Sequence, residues 1–133
     1  MYFLETESAF DAAHFLTNYE GKCKNIHGHR WRVLVKIKGE LTDGMLVDFG
    51  ILKADVKELC DYFDHSFIVT KDSLEKPLFD MLNERFLLRV VDFRTTAENF
   101  SKYFYDILSK KYDVLSVKVY ETPNNMAEYS IWK

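Results

Sequence analysis

Proline and cysteine are scarce in this 133-residue chain, at two residues each, and glycine is little commoner at five. Two cysteines, Cys23 and Cys60, cannot build a disulfide scaffold, and in a reducing compartment both remain thiols. So little proline and glycine leaves no linker or low-complexity tract, and no repeat is visible, so a single domain over residues 1–133 with one continuous core is expected. No apolar run approaches the roughly 20 residues that cross a bilayer. The opening Met-Tyr-Phe-Leu-Glu-Thr-Glu also lacks the positive region and apolar stretch of a signal peptide. A cytoplasmic protein without membrane contact is therefore expected. Eighteen Lys and Arg are interspersed with twenty-one Asp and Glu for a net charge of −3. The basic stripe of a nucleic-acid binder is missing as well.

Aromatic residues, by contrast, are plentiful: eleven Phe and eight Tyr help bring the aromatic share to 16%. A core of this size has limited room, and rings are enriched at subunit contacts, which hints at an oligomer. Trp31, Val33, Val35 and Ile37 alternate with Arg32, Lys36 and Lys38, predicting a strand over about 30–38. Leu115, Val117 and Val119 alternate with Ser116, Lys118 and Tyr120, predicting a second over 114–122. Pro123-Asn124-Asn125 then signals a turn, and Ala127, Tyr129 and Ile131 continue the alternation as a hairpin. The first dozen residues form a further, less periodic strand.

Leu52, Val56, Leu59, Cys60 and Phe63 make an apolar stripe at helical spacing across 51–63, and Ala97, Phe100, Phe104, Ile107 and Leu108 make another across 96–108. Thr95-Thr96-Ala97-Glu98 fits a capping box with Thr95 as N-cap and Glu98 at N3. Between the helices lies an inserted segment around 71–93, with a short helix expected from Pro77 and a short strand over 88–91. The order predicts an α+β domain with an antiparallel sheet.

The segment Cys23-Lys24-Asn25-Ile26-His27-Gly28-His29 carries the densest chemistry. Residues two apart in an extended chain share a side, so His27 and His29 can converge on one ion, with Gly28 sparing a side chain between them. His14, behind a run of mostly small residues, supplies a third imidazole. Three neutral imidazoles suit zinc and leave its fourth position open. Cys23 either closes the site as a fourth ligand or stands beside it as a functional thiol. In Asp64-His65 the carboxylate can fix the imidazole's tautomer and basicity, or the pair can simply end a helix. Glu121 continues the apolar parity of its strand, so an inward carboxylate that needs N–H donors competes with one turned out to solvent. Glu98 is explained by capping, and Cys60 by its place on an apolar stripe.

These pieces together resemble the 6-pyruvoyltetrahydropterin synthase and 6-carboxytetrahydropterin synthase family. Phe10-Asp11-Ala12-Ala13-His14 resembles its first zinc histidine, and Cys23 with His27-Gly28-His29 its catalytic cysteine and other two zinc ligands. Gly44-Met45-Leu46-Val47-Asp48-Phe49 is similar to the stretch before the first helix, and Phe63-Asp64-His65 to the segment holding the rest of a Cys-Asp-His set. Thr96-Ala97-Glu98-Asn99 is similar to a Pro-Thr-x-Glu-Asn motif, and Tyr120-Glu121-Thr122 to the strand end whose Glu anchors the pterin. Departures include Phe63 for a usual Leu, Thr95 where Pro is common, Ser66-Phe67-Ile68 in place of a segment commonly ending in Leu-Asn, and the long stretch from Thr70 to Phe93.

The resemblance implies the tunnelling fold, with four antiparallel strands and two main helices per subunit, assembled as a hexamer with active sites between subunits. It further implies a zinc lyase acting on 7,8-dihydroneopterin triphosphate. Zn2+ would sit on His14, His27 and His29, with Cys23, Asp64 and His65 catalytic and Glu121, Thr96 and Glu98 binding substrate. The expected products are 6-carboxytetrahydropterin, acetaldehyde and triphosphate, on the route to queuosine. Two alternatives stay open: a 6-pyruvoyltetrahydropterin synthase, which keeps the side-chain carbons, and a non-catalytic zinc-binding module.

Overall fold

Alternating apolar residues at both ends of the N-terminal third produce the two longest elements. The computed structural model describes residues 1–131. Strand β1 (Tyr2–His14) pairs antiparallel with β2 (His27–Gly39) along its whole length, from Tyr2 opposite Gly39 to His14 opposite His27. A 3-10 turn (Lys22–Lys24) lies in the connection and carries Cys23. Trp31, Val33, Val35 and Ile37 are buried, as their alternation predicts. β2 starts earlier than its apolar pattern, because His27 and His29 extend the inward parity with polar side chains.

Helix α1 (Phe49–Phe63) begins at Asp48, whose carboxylate accepts the Gly50 amide at 2.6 Å. Strand β3 (Ser66–Thr70), helix α2 (Lys76–Arg85) and strand β4 (Leu88–Val91) follow, then helix α3 (Ala97–Leu108) and the hairpin of β5 (Val114–Thr122) and β6 (Asn125–Ser130). The sheet has six strands in the order β4-β3-β1-β2-β5-β6. This corrects the expected four-stranded antiparallel sheet. β1, β2, β5 and β6 are antiparallel, but β3 runs parallel to β1, and β4 parallel to β3. Parallel neighbours need a crossover of a dozen or more residues, and the inserted segment supplies it through α2. The helix at Pro77 and the strand over 88–91 are present; β3 was not expected, and α2 makes a third helix.

α1 and α3 lie against the strands and close the core. Leu52, Val56, Cys60 and Phe63 of α1 and Ala97, Phe100, Phe104 and Leu108 of α3 are buried. Phe10, Trp31, Phe63, Phe100 and Phe104 form its aromatic centre, with Trp31 and Phe100 centroids 5.1 Å apart and Phe10 and Phe63 5.5 Å apart. Each such ring contributes about 1.5–3 kcal/mol by burial. Other rings, including Tyr2, Phe3, Phe49, Tyr62 and Phe86, stay exposed on the single chain. α2 buries none of its residues.

Two local expectations change. Opposite β5 the register shifts between Lys36 and Ile37, so Ser116 is buried with Val114, Val117 and Val119 while Leu115 is only half-buried. At α3 the N-cap is Thr96, whose hydroxyl accepts the Asn99 amide at 3.1 Å. Glu98 falls at the second helical position and stands exposed, so the predicted capping box is not formed. Thr96→Ala is expected to cost about 1 kcal/mol of stability through loss of the cap. Glu98→Ala should change it by no more than a few tenths, both read by urea denaturation; equal costs for the two would restore the capping box.

Candidate metal centre

Antiparallel pairing decides which histidines can meet. His14 is the last residue of β1 and lies directly opposite His27, the first of β2; His29 lies opposite Ala12. Paired residues share a face of the sheet, so all three rings emerge together at its end. Their centroids are 4.7 Å (His14 to His27), 5.4 Å (His14 to His29) and 4.7 Å (His27 to His29) apart. Trp31, next on the same face, floors the group edge-on, 4.8 Å from His14 and 5.5 Å from His29. Gly28 lies on the other face. A Cβ there would meet only the Ala12 carbonyl at 4.0 Å, so no close approach demands glycine.

Glu121 completes the group from β5. It keeps the inward parity of Val117 and Val119, at the point where the β5–β6 register shifts between Tyr120 and Thr122. Glu121 Oε1 stands 3.0 Å from His29 Nε2 and 3.3 Å from His14 Nε2. One ligand atom from each of His14, His27, His29 and Glu121 falls within 4.8 Å of all the others. Cys23 is not a member, which weighs against its reading as a fourth ligand.

Hydrogen bonds on the far side of two rings decide what faces inward. His27 Nδ1 is 2.7 Å from the Asn25 carbonyl, which can only accept, so Nδ1 carries the proton. His14 Nδ1 is 3.0 Å from the Thr95 hydroxyl, which is 3.2 Å from the Phe15 carbonyl. The Nε2 atoms of His14, His27 and His29 are buried and none has a hydrogen-bond partner, the Glu121 carboxylate being near but out of line. Lone pairs and a carboxylate gathered this closely need positive charge among them. The contact with the His14 ring holds the Glu121 carboxyl below its usual range, while burial opposes the shift. Burial pushes the His29 imidazole below its ordinary range, against the pull of Glu121. A buried ring that resists protonation is a better metal ligand than an acid. The three imidazole nitrogens, with the Glu121 carboxylate beside them, fit a divalent metal cation.

Asp64 and His65 form a separate pair at the junction of α1 and β3. Asp64 Oδ1 accepts the Asp11 amide at 2.8 Å, and Oδ2 lies 2.7 Å from His65 Nδ1. His65 takes a left-handed φ of 56° and returns its own amide to the Asp11 carbonyl at 2.7 Å. The dyad thus grips β1 beside Asp11, whose side chain pairs across the sheet with Arg30 on the face away from the histidines. The Asp11 amide and then the His65 ring hold the Asp64 carboxyl below its usual range; the Asp64 contact pulls the His65 pKa up. His65 is 81% exposed.

Of the sequence-identified residues, the chain therefore brings together His14, His27, His29 and Glu121, and separately Asp64 and His65. Cys23 hydrogen-bonds through its carbonyl to the Leu16 amide, with no side-chain bond to Asp64 or His65. The Thr96 hydroxyl accepts the Asn99 amide at the α3 cap and keeps its own hydrogen to donate; neither it nor Glu98 bonds to the histidine group. Sequence reasoning missed Thr95 as a partner of His14. Its trace in the sequence is a second threonine beside the cap, which the α3 N-cap does not need.

Two measurements check this geometry. Asp64→Asn should lower the titration midpoint of His65 towards the ordinary imidazole value, followed by NMR; an unchanged midpoint would mean the pair does not form in solution. The protein should take up about one divalent ion per chain, with His27→Ala losing most of that uptake by elemental analysis. Full uptake by the variant would remove His27 from the site.

Comparison with known proteins fits this arrangement. A protein of Wolinella succinogenes, described as uncharacterized, superposes with a TM-score of 0.82 at 22% identity, covering 98% of each chain. The 6-pyruvoyl tetrahydropterin synthase of Plasmodium falciparum superposes with a TM-score of 0.74 at 23% identity, covering 99% of this chain and 98% of its own. The fold is thus the tunnelling fold. In sequence, the 6-carboxy-5,6,7,8-tetrahydropterin synthase of Haemophilus influenzae is 34% identical, over 97% of this chain and 99% of its own length. With the profile described as 6-pyruvoyl tetrahydropterin synthase matching residues 3–131 as well, the chain belongs to the 6-pyruvoyl tetrahydropterin synthase family.

Proposed function

We propose that this chain is a zinc-dependent 6-carboxy-5,6,7,8-tetrahydropterin synthase of the cytoplasm. It would convert 7,8-dihydroneopterin triphosphate to 6-carboxytetrahydropterin, acetaldehyde and triphosphate in queuosine biosynthesis. The observation that carries the reading is the convergence of three unpartnered, buried Nε2 atoms with a carboxylate, in a chain matched almost end to end by a pterin synthase family. The name of the Haemophilus influenzae relative favours the carboxy product over the pyruvoyl one.

In this reading His14, His27 and His29 hold the zinc. The ion, when bound, acts as a Lewis acid on the side-chain oxygens of the pterin and makes the adjacent C–H more acidic. Glu121, inward at the end of β5, holds the N–H edge of the pterin through paired oxygens. Thr96 and Glu98 add hydrogen bonds to the same ligand. Cys23 serves as the thiolate that moves protons between side chain and ring, with His65 setting its protonation and Asp64 fixing the His65 tautomer. A non-catalytic zinc module accounts less well for a chain matched almost end to end by synthases, and it leaves Cys23, outside the donor group, without a role.

Within one chain the Asp64–His65 pair is exposed and unconnected to Cys23. That suits an active site shared between subunits of a hexamer, where the dyad of one chain serves the thiol of another. The exposed rings of Phe3, Phe49 and Tyr62 offer apolar surface for such contacts.

Incubation with 7,8-dihydroneopterin triphosphate should yield acetaldehyde and a carboxypterin by mass spectrometry; a pyruvoyl product alone would overturn the carboxy assignment. Cys23→Ala should keep its metal and lose about 10²–10⁴-fold in turnover. Loss of metal in that variant, with no turnover by the unaltered protein, would favour the zinc-binding module instead.

A further inference from the structure

Two of the three histidines are held from behind, and the two holders differ in kind. His27 is oriented by the carbonyl of Asn25, two residues away on its own chain segment. His14 is oriented from 81 residues away, by a side chain between β4 and α3. We infer that Thr95 is the positioning residue that selects the metal-facing nitrogen of His14, by accepting the Nδ1 proton and leaving Nε2 as the inward lone pair. The inference rests on the reading of the histidine group as a metal site and assigns that site a residue outside its donors.

The assignment follows from counting protons. A threonine hydroxyl has one hydrogen to give. Thr95 Oγ1 lies 3.2 Å from the Phe15 carbonyl, which can only accept, so the hydrogen is committed there. Towards His14 Nδ1, 3.0 Å away, the same oxygen can then only accept. A neutral imidazole that donates at Nδ1 has its lone pair at Nε2, the atom that faces His29 and Glu121. Both residues are sealed from water, His14 at 0% and Thr95 at 1% exposure, so no solvent molecule substitutes for the hydroxyl.

Thr95 is itself held firmly. Arg94 before it donates to the Thr17 carbonyl at 3.0 Å, and Thr96 after it caps α3. Arg94 and Thr95 together clip two carbonyls of the segment leaving β1, just beyond His14. Two adjacent threonines thus divide the work: Thr96 starts the helix and Thr95 fixes the ligand. Ligands held by such outer partners lose about 10–100-fold in metal affinity when the partner is removed.

The test has two arms. In the metal-free, 15N-labelled protein, long-range proton–nitrogen NMR should show His14 protonated at Nδ1; protonation at Nε2 overturns the inference and needs no variant that might misfold. In the second arm, Zn2+ affinity is measured by competition with a chromophoric chelator, and Co2+ absorption reports ligand geometry. Thr95→Val, which keeps shape but loses the hydroxyl, should bind about 10–100-fold more weakly with altered Co2+ bands, while Thr95→Ser restores both. A Thr95→Val protein that binds as tightly as the unaltered one, with the same bands, defeats the role of Thr95 and leaves the metal site standing. An unaltered protein that binds neither ion defeats the metal site, and the inference with it.

Discussion

The antiparallel register of β1 against β2 is the constraint on which the site depends. It sets His14 opposite His27 and Ala12 opposite His29, and carries the same inward parity through Phe10 opposite Trp31 into the core. A slip by one residue would turn every one of these side chains to the other face, because strand side chains alternate with a period of two. The apolar alternation that keeps Phe10, Trp31, Val33 and Val35 buried is therefore also what aims the imidazoles. Core and site are selected by the same pairing, and neither can be shifted alone.

Around that pairing the site is assembled from polar groups that would be costly to bury unmatched. His14 is fully buried against Trp31, and its two ring nitrogens meet opposite demands, Thr95 behind and the donor group in front. Glu121 reaches the group because it continues the inward parity of Val117 and Val119 along β5, which pairs with β2. Burial weakens the hold of His29 on a proton while the carboxylate opposes that effect. The result is a cluster with negative and lone-pair character, floored by Trp31, that suits a divalent cation. The Asp64–His65 pair belongs to another region, tied to the β1 backbone at Asp11, with the His65 ring open to solvent.

Much of this was legible in the chain. His27 and His29 were placed on one side by their spacing of two, and Glu121 was placed inward by the parity of Val117 and Val119. Both inferences use only the strand period. The apolar stripes of α1 and α3 were legible for the same reason, and Cys60 proved inert core, with burial raising its thiol pKa to about 12. The errors share a different cause. β3 and the parallel edge were missed because Ser66–Thr70 is too short to show a period, and its partners lie far away in sequence. Leu115 was assigned to the core because a register shift against β2 is invisible in a single strand. The cap was placed one residue early because Thr95 and Thr96 are chemically alike, and only the surroundings separate them.

By itself the sequence determined the fold class, the long strands and the three histidines as candidate donors, since side-chain periodicity and composition are local properties. It left open whether Cys23 was a ligand, whether Glu121 faced the histidines, and what stood behind His14. The tertiary structure decided these points. Cys23 lies outside the donor group, Glu121 meets His14 and His29, and Thr95 arrives from 81 residues along the chain. Each is a contact between distant segments. Such contacts are fixed by how the sheet pairs and where its bulges fall, which no stretch of sequence read alone contains.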